Sequence, residues 1–279
     1  MSRNDIFSDL PPAGDMPRQS RQEVQQELGF DIPVETVPLP SLGKVYPPGH
    51  PLHGQSTVEI RAMTAREEDI LTSRALLKSG AVVSALIESC LMNKDVSAGT
   101  LVAGDRNAII AAIRVTGYGA TYNADITCPL CSSRQKKDYD LTQLPLNVLE
   151  LDPDTMGENA FTTQLPMSGK SVTLRLETGE DQEELLVTAE RKKKHGLQIE
   201  SNVTDKLFRS IVAIDGETDR GKIRQFVNNM PARDSLSVRK WLDDNEPGLN
   251  MDVDFQCDVC GHEEVVPLPM GANFFWPQA

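Results

Sequence analysis

Basic residues are the scarce charge in this 279-residue chain: 28 Lys and Arg stand against 41 Asp and Glu, a formal net charge of -13. A phosphate backbone is bound by clustered cations that displace its counterions, so nucleic acid is not an expected partner. Long apolar runs are missing too. The longest, from Ala81 to Met92, is interrupted by Ser84, Glu88 and Ser89 and falls short of the roughly 20 residues that a membrane span requires. The first residues carry Asp5, Asp9 and Asp15 with no apolar stretch, which does not read as a secretory signal. Synthesis in a reducing, cytoplasm-like compartment is the expectation.

Catalytic signatures are equally thin. The four histidines, His50, His53, His195 and His262, fall in a proline-rich stretch, after a basic run and beside a cysteine, with no nucleophile placed by spacing. Gly117-Tyr118-Gly119 lacks the third glycine of a dinucleotide loop, and Ser168-Gly169-Lys170 lacks the leading glycine of a phosphate loop. No catalytic residue and no small-molecule substrate are assigned. The run Arg191 to Lys194 reads as a solvated helix end rather than a binding patch.

What is present fits a packed chain, with 39% hydrophobic and 25% charged residues. Residues 1–56 are rich in proline and polar groups and are expected to form an extended N-terminal arm, with a short helical stretch from Ser20 to Leu28. For 57–121 the pattern predicts one strand from Thr57, then helices: one capped by Thr64 with Glu67, one over Val82 to Leu91, and one capped by Asp105. Residues 122–144 read as strand, knuckle, strand around Cys128-Pro129-Leu130-Cys131. The span 145–250 reads as an inserted hairpin (161–165 with 172–176) followed by helices starting at Thr178, Thr204, Asp219 and Asp234. Residues 251–279 repeat the knuckle at Cys257-Asp258-Val259-Cys260 and close on an aromatic tail. The fold class is therefore α+β, a mainly helical body with a zinc-ribbon-like β element made by two distant CxxC knuckles.

Four of the five cysteines form those two pairs, and Cys90 sits within an apolar helix. In a reducing compartment thiols are metal ligands before they are disulfides. A CxxC turn aims two sulfurs at one ion, so Cys128, Cys131, Cys257 and Cys260 together complete a tetrahedral zinc site. Gly261 and Pro129 favour the tight turns that this needs. The usual four-cysteine spacing leaves roughly 15–20 residues between the pairs, so the long separation here weakens the signal. A redox dithiol pair and metal-free thiols stay open as alternatives, as does His262 as a substitute ligand. A zinc ion held by four cysteines has no open position for water or substrate, which makes it structural.

The run Val37-Pro38-Leu39-Pro40-Ser41-Leu42-Gly43-Lys44-Val45-Tyr46-Pro47, followed by Met63 through Leu71, resembles the baseplate hub and assembly proteins of T-even-type contractile-tailed bacteriophages. Asp105-Arg106, Arg114, Tyr118-Gly119, both knuckles and Phe274-Phe275-Trp276-Pro277 follow in the same order. The resemblance implies a noncatalytic component of the virion tail baseplate, assembled in the host cytoplasm and touching other baseplate or tail proteins. It leaves open a transient assembly chaperone that is absent from the mature particle. A CxxC thiol oxidoreductase is the enzymatic alternative. Phe274, Phe275 and Trp276 are expected either to anchor a partner or to fold back onto the chain's own core.

Overall fold

A computed structural model describes residues 31–194, 203–269 and 272–275, with backbone alone at 189–194 and 272–273. The chain divides into two compact units, Met1–Pro33 and Val34–Ala279. Of the first, residues 31–33 are described and carry no regular structure; the helical stretch expected at Ser20 to Leu28 lies outside the described residues. Everything below concerns the second unit.

It opens with β1 (Val34–Pro38), paired antiparallel with β2 (Thr57–Arg61) in a two-stranded sheet. The loop between them buries Leu39, Ser41, Val45, Tyr46 and Leu52. The extended arm expected over 1–56 is thus corrected for 34–56, which is folded into the core. Its prolines suit an edge strand and tight turns, where no amide donor is needed, and the apolar residues between them supply the burial. Proline density alone reads as an extended arm.

Helix α1 (Ala65–Thr72) starts at the expected capping box: the Thr64 amide and hydroxyl donate to Glu67 Oε2 at 2.9 and 2.6 Å. Glu67 is fully buried, and it also receives Arg61 through Nη2 at 2.7 Å. Ser73 breaks the helix, and α2 (Arg74–Ser79) ends at Gly80, whose φ of 75° closes the turn as only glycine does easily. Then come α3 (Val82–Cys90) and α4 (Ala103–Tyr118). Asp105 does not cap α4. It lies inside the first turn, fully buried, and accepts from the Ser41 amide at 2.8 Å, the Ser41 hydroxyl at 2.5 Å and the Tyr46 hydroxyl at 2.6 Å. A side chain with three long-range donors is worth more to the fold as their acceptor than as a local cap.

Two hairpin strands follow, β3 (Thr121–Thr127) and β4 (Arg134–Asp140), then a short turn and β5 (Leu146–Asn147). The next stretch holds β6 (Phe161–Gln164), β7 (Ser171–Leu174), α5 (Gly179–Lys194), α6 (Val203–Ser210) and β8 (Ile211–Ile214). The helix expected from Thr204 stops at Ser210. The β-branched Ile211 and Val212 continue as a strand that pairs with β7, giving the order β6-β7-β8. Helices α7 (Arg220–Asn228) and α8 (Ala232–Asn245) pack over that sheet. The chain returns through β9 (Gly248–Leu249), the hairpin β10 (Asp252–Gln256) and β11 (Glu263–Pro267), and α9 (Ala272–Phe275).

Two hydrophobic clusters result. One joins the β1–β2 loop, α3, α4 and the two hairpins; the other is built by β7, β8 and α6 to α8, and Trp241 packs against both. Where β9 crosses α4, a Cβ on Gly104 would sit 1.8 Å from Pro247 O, so no larger residue fits. No helix among the described residues is long and apolar enough to cross a membrane.

Candidate metal centre

In β3 every second residue, Tyr122, Ala124 and Ile126, turns inward, as do Val253 and Phe255 in β10. This period-two pattern lays each hairpin on the first cluster and leaves its tip free to form a turn. The tips are the two knuckles, built alike. In the first, the Cys128 amide donates to Ser133 O at 2.9 Å and the Ser132 amide to Cys128 O at 2.9 Å. In the second, the Cys257 amide donates to His262 O at 2.8 Å and the Gly261 amide to Cys257 O at 2.9 Å. The residue after the second cysteine takes a left-handed conformation in both, Ser132 with φ 59° and Gly261 with φ 72°. Glycine adopts it without cost, whereas serine does so under strain.

Polar contacts bind one hairpin to the other. Lys137 Nζ lies 2.6 Å from Asp258 Oδ1, the Asp258 amide donates to Gln135 Oε1 at 3.0 Å, and the Tyr139 hydroxyl donates to Asp254 O at 3.3 Å. The sulfurs of Cys128, Cys131, Cys257 and Cys260 all lie within 4.8 Å of one another. Cys128 Sγ is 3.8 Å from Cys260 Sγ, and Cys131 Sγ is 3.6 Å from Cys257 Sγ, so these contacts run between knuckles. A tetrahedral zinc site with Zn–S bonds near 2.3 Å has S···S edges of about 3.8 Å, and four thiolates are a complete donor set for it. The residues present fit a metal ion.

Charge shows what a cation would do there. The Ser133 hydroxyl, then the Cys260 and Val259 amides, pull the Cys257 thiol down to about 5 against the opposing effect of burial. Ser133 likewise lowers Cys131. Cys260 goes the other way: the His262 amide favours its thiolate, but desolvation and the sulfurs of Cys257, Cys131 and Cys128 together push it up to about 12. Sulfurs this close cannot all ionise unless a cation neutralises them.

Sequence reasoning missed the supporting residues. Gln135 donates to Cys257 Sγ at 2.8 Å, and Ser133 Oγ lies 3.1 Å from Cys131 Sγ and 3.5 Å from Cys257 Sγ. Gln135 lies two residues beyond Ser133 on the side of β4 that meets the second hairpin, a position readable only once the hairpins are known to stack. His262 is not part of the sulfur cluster; its ring lies 3.0 Å from Glu264 Oε2. Cys90 is fully buried in the first cluster.

Of the three aromatics expected either to anchor a partner or to fold back onto the core, Phe274 folds back. It is fully buried, stands edge-on to Tyr122 with ring centres 5.2 Å apart, and its carbonyl accepts from Arg114 Nε at 2.7 Å. Arg114, itself buried, also donates to Gly119 O and Thr121 O, which ties the end of α4 to the start of β3 and to α9. Phe275 is half-buried against the same cluster, and Trp276 lies outside the described residues. Among the remaining histidines, His50 stacks on Tyr46 with ring centres 4.7 Å apart, and His53 Nδ1 lies 2.6 Å from Tyr46 O, both in the folded loop.

Comparison with curated proteins and with solved structures gives no match. A family model described as T4 bacteriophage base plate protein matches residues 34–276, a span that holds both knuckles, both hydrophobic clusters and the Ser41–Tyr46–Asp105 network. By that match, the chain belongs to the T4 bacteriophage base plate protein family.

Proposed function

We propose that the chain is a noncatalytic, hub-associated part of the base plate in the virion tail, working through protein–protein contacts and fastened by one structural zinc ion. Cys128, Cys131, Cys257 and Cys260 would hold the ion, and the two hairpins would then form a zinc-ribbon-like element. The observation that carries the metal reading is the gathering of four sulfurs, two from the middle of the second unit and two from near its end, to within 4.8 Å of one another. When bound, the ion supplies charge neutralisation and a cross-link; with four sulfurs around it, no position is left for substrate. The half-buried Phe275 and the adjacent Trp276 are the proposed partner contacts at the C-terminal end.

A thiol oxidoreductase is the weaker reading, because the 3.6 and 3.8 Å sulfur contacts link the two knuckles to each other and each knuckle supplies half of one site. Metal content of the purified, reduced chain tests this. One zinc per chain is expected, and Cys128→Ser or Cys257→Ser should lower metal content and thermal stability together. A stable chain without metal, or variants that keep both, would reject the shared site. Quantitative mass spectrometry of purified particles separates a permanent subunit, present in fixed stoichiometry, from an assembly chaperone that is lost on maturation.

A further inference from the structure

Resting on the metal reading above, we propose that Gln135 is a positioning residue for the metal centre: its side-chain amide orients one sulfur from each knuckle and so sets how tightly the four cysteines hold an ion. Gln135 Nε2 lies 2.8 Å from Cys257 Sγ and 3.0 Å from Ser133 Oγ, and Gln135 Oε1 lies 3.0 Å from the Asp258 amide nitrogen. The direction of these bonds is fixed. A backbone amide only donates, so the Gln135 oxygen must face Asp258, which leaves its two N–H groups for the sulfur and the hydroxyl. An ionised sulfur only accepts, so the Ser133 hydroxyl, itself accepting from Gln135, turns its hydrogen to the sulfurs, of which Cys131 Sγ is nearest at 3.1 Å. One amide thus serves Cys257 directly and Cys131 through Ser133. Those two sulfurs come from different knuckles and lie 3.6 Å apart.

A hydrogen drawn to a thiolate withdraws part of its charge and holds its lone pairs in place, which is how partners behind a ligand tune the metal it holds. Mere gluing of the hairpins would need none of this. Gln135, Lys137 and Tyr139 share the face of β4 that meets the second hairpin, as the alternation along the strand dictates. Lys137 reaches Asp258 and Tyr139 reaches Asp254, neither with a bond to sulfur, whereas Gln135 holds the Asp258 backbone and a sulfur with the two ends of one planar group. Lys137 therefore supplies the comparison that separates adhesion from tuning.

Zinc affinity of the full chain, measured by competition with a chromophoric chelator, tests the inference together with the sulfur-to-metal charge-transfer band recorded with cobalt(II) in place of zinc. Gln135→Met keeps the length of the side chain and removes its donors. It should weaken zinc about tenfold or more and move the cobalt band to longer wavelength, because a sulfur without its donor releases charge to the metal more readily. Ser133→Ala should move the band the same way, and Lys137→Ala should leave it in place. Zinc held as tightly by Gln135→Met as by the wild type, or a band that stays put there or shifts equally in Lys137→Ala, would overturn the inference and leave the shared site standing. If Gln135→Met does not fold, an unmoved band in Ser133→Ala overturns it. A wild-type chain that takes up neither metal would overturn the metal reading and this inference with it.

Discussion

Glu67 shows how much one side chain can organise. Burial by itself would raise its carboxyl, but the Arg61 guanidinium and the Ser89 and Thr64 hydroxyls hold it well below the usual carboxylate value of 4.5. A folded value below the unfolded one means that the stabilisation is complete above about pH 4.5 and fades as pH falls towards the folded value. Urea midpoints measured from pH 7 to pH 3 should therefore drop at the acid end. Glu67→Gln should remove that part of the slope and cost about 3 kcal/mol at pH 7, because it leaves the buried Arg61 short of its counter-charge. Gly104 makes the opposite demand, for nothing at all: with Pro247 O 1.8 Å from where a Cβ would sit, Gly104→Ala should cost roughly 3 kcal/mol or more, read as a lowered melting temperature. The capping box that places Glu67 was legible from Thr64 and its spacing. The need for glycine at 104 was not, because it comes from a strand more than a hundred residues downstream.

Among the elements, the two hairpins were the most legible, since alternation in Tyr122, Ala124 and Ile126 and the twin CxxC turns are local signals. Their stacking was not local, and with it went the roles of Ser133 and Gln135. Helices with strong caps, such as α7 with Asp219 accepting from the Lys222 amide, matched the sequence pattern. Ile211 to Ile214 did not, because an apolar run of four fits either a helix end or a strand, and pairing with β7 decides it. If the sulfurs share one ion, chelation should loosen these hairpins first. Hydrogen exchange after chelator treatment is expected to speed up across 121–140 and 252–267, while α4 and β7, buried in the two clusters, keep their protection. Uniform loss of protection would show instead that the hairpins hold the whole unit together.

At the scale of the whole molecule, the folded unit begins where the proline-rich stretch seemed to forbid it. Both hydrophobic clusters are built from residues between Val34 and Ala279, so a chain starting at Val34 should fold and melt as the full chain does, within about 2 °C by calorimetry. Val37, Leu39, Val45, Tyr46 and Leu52 were visible as apolar residues, but only the burial of Ser41 and Tyr46 on Asp105 shows why the loop closes over α4. The position of the knuckles, one before the β6-β7-β8 sheet and one after α8, has a mechanical meaning for a base plate protein. With an ion joining them, tension applied from β3 to β11 would pass from thiolate to thiolate and bypass everything between Ser132 and Gln256, so the intervening sheet and helices would ride slack while the cross-link bears the load.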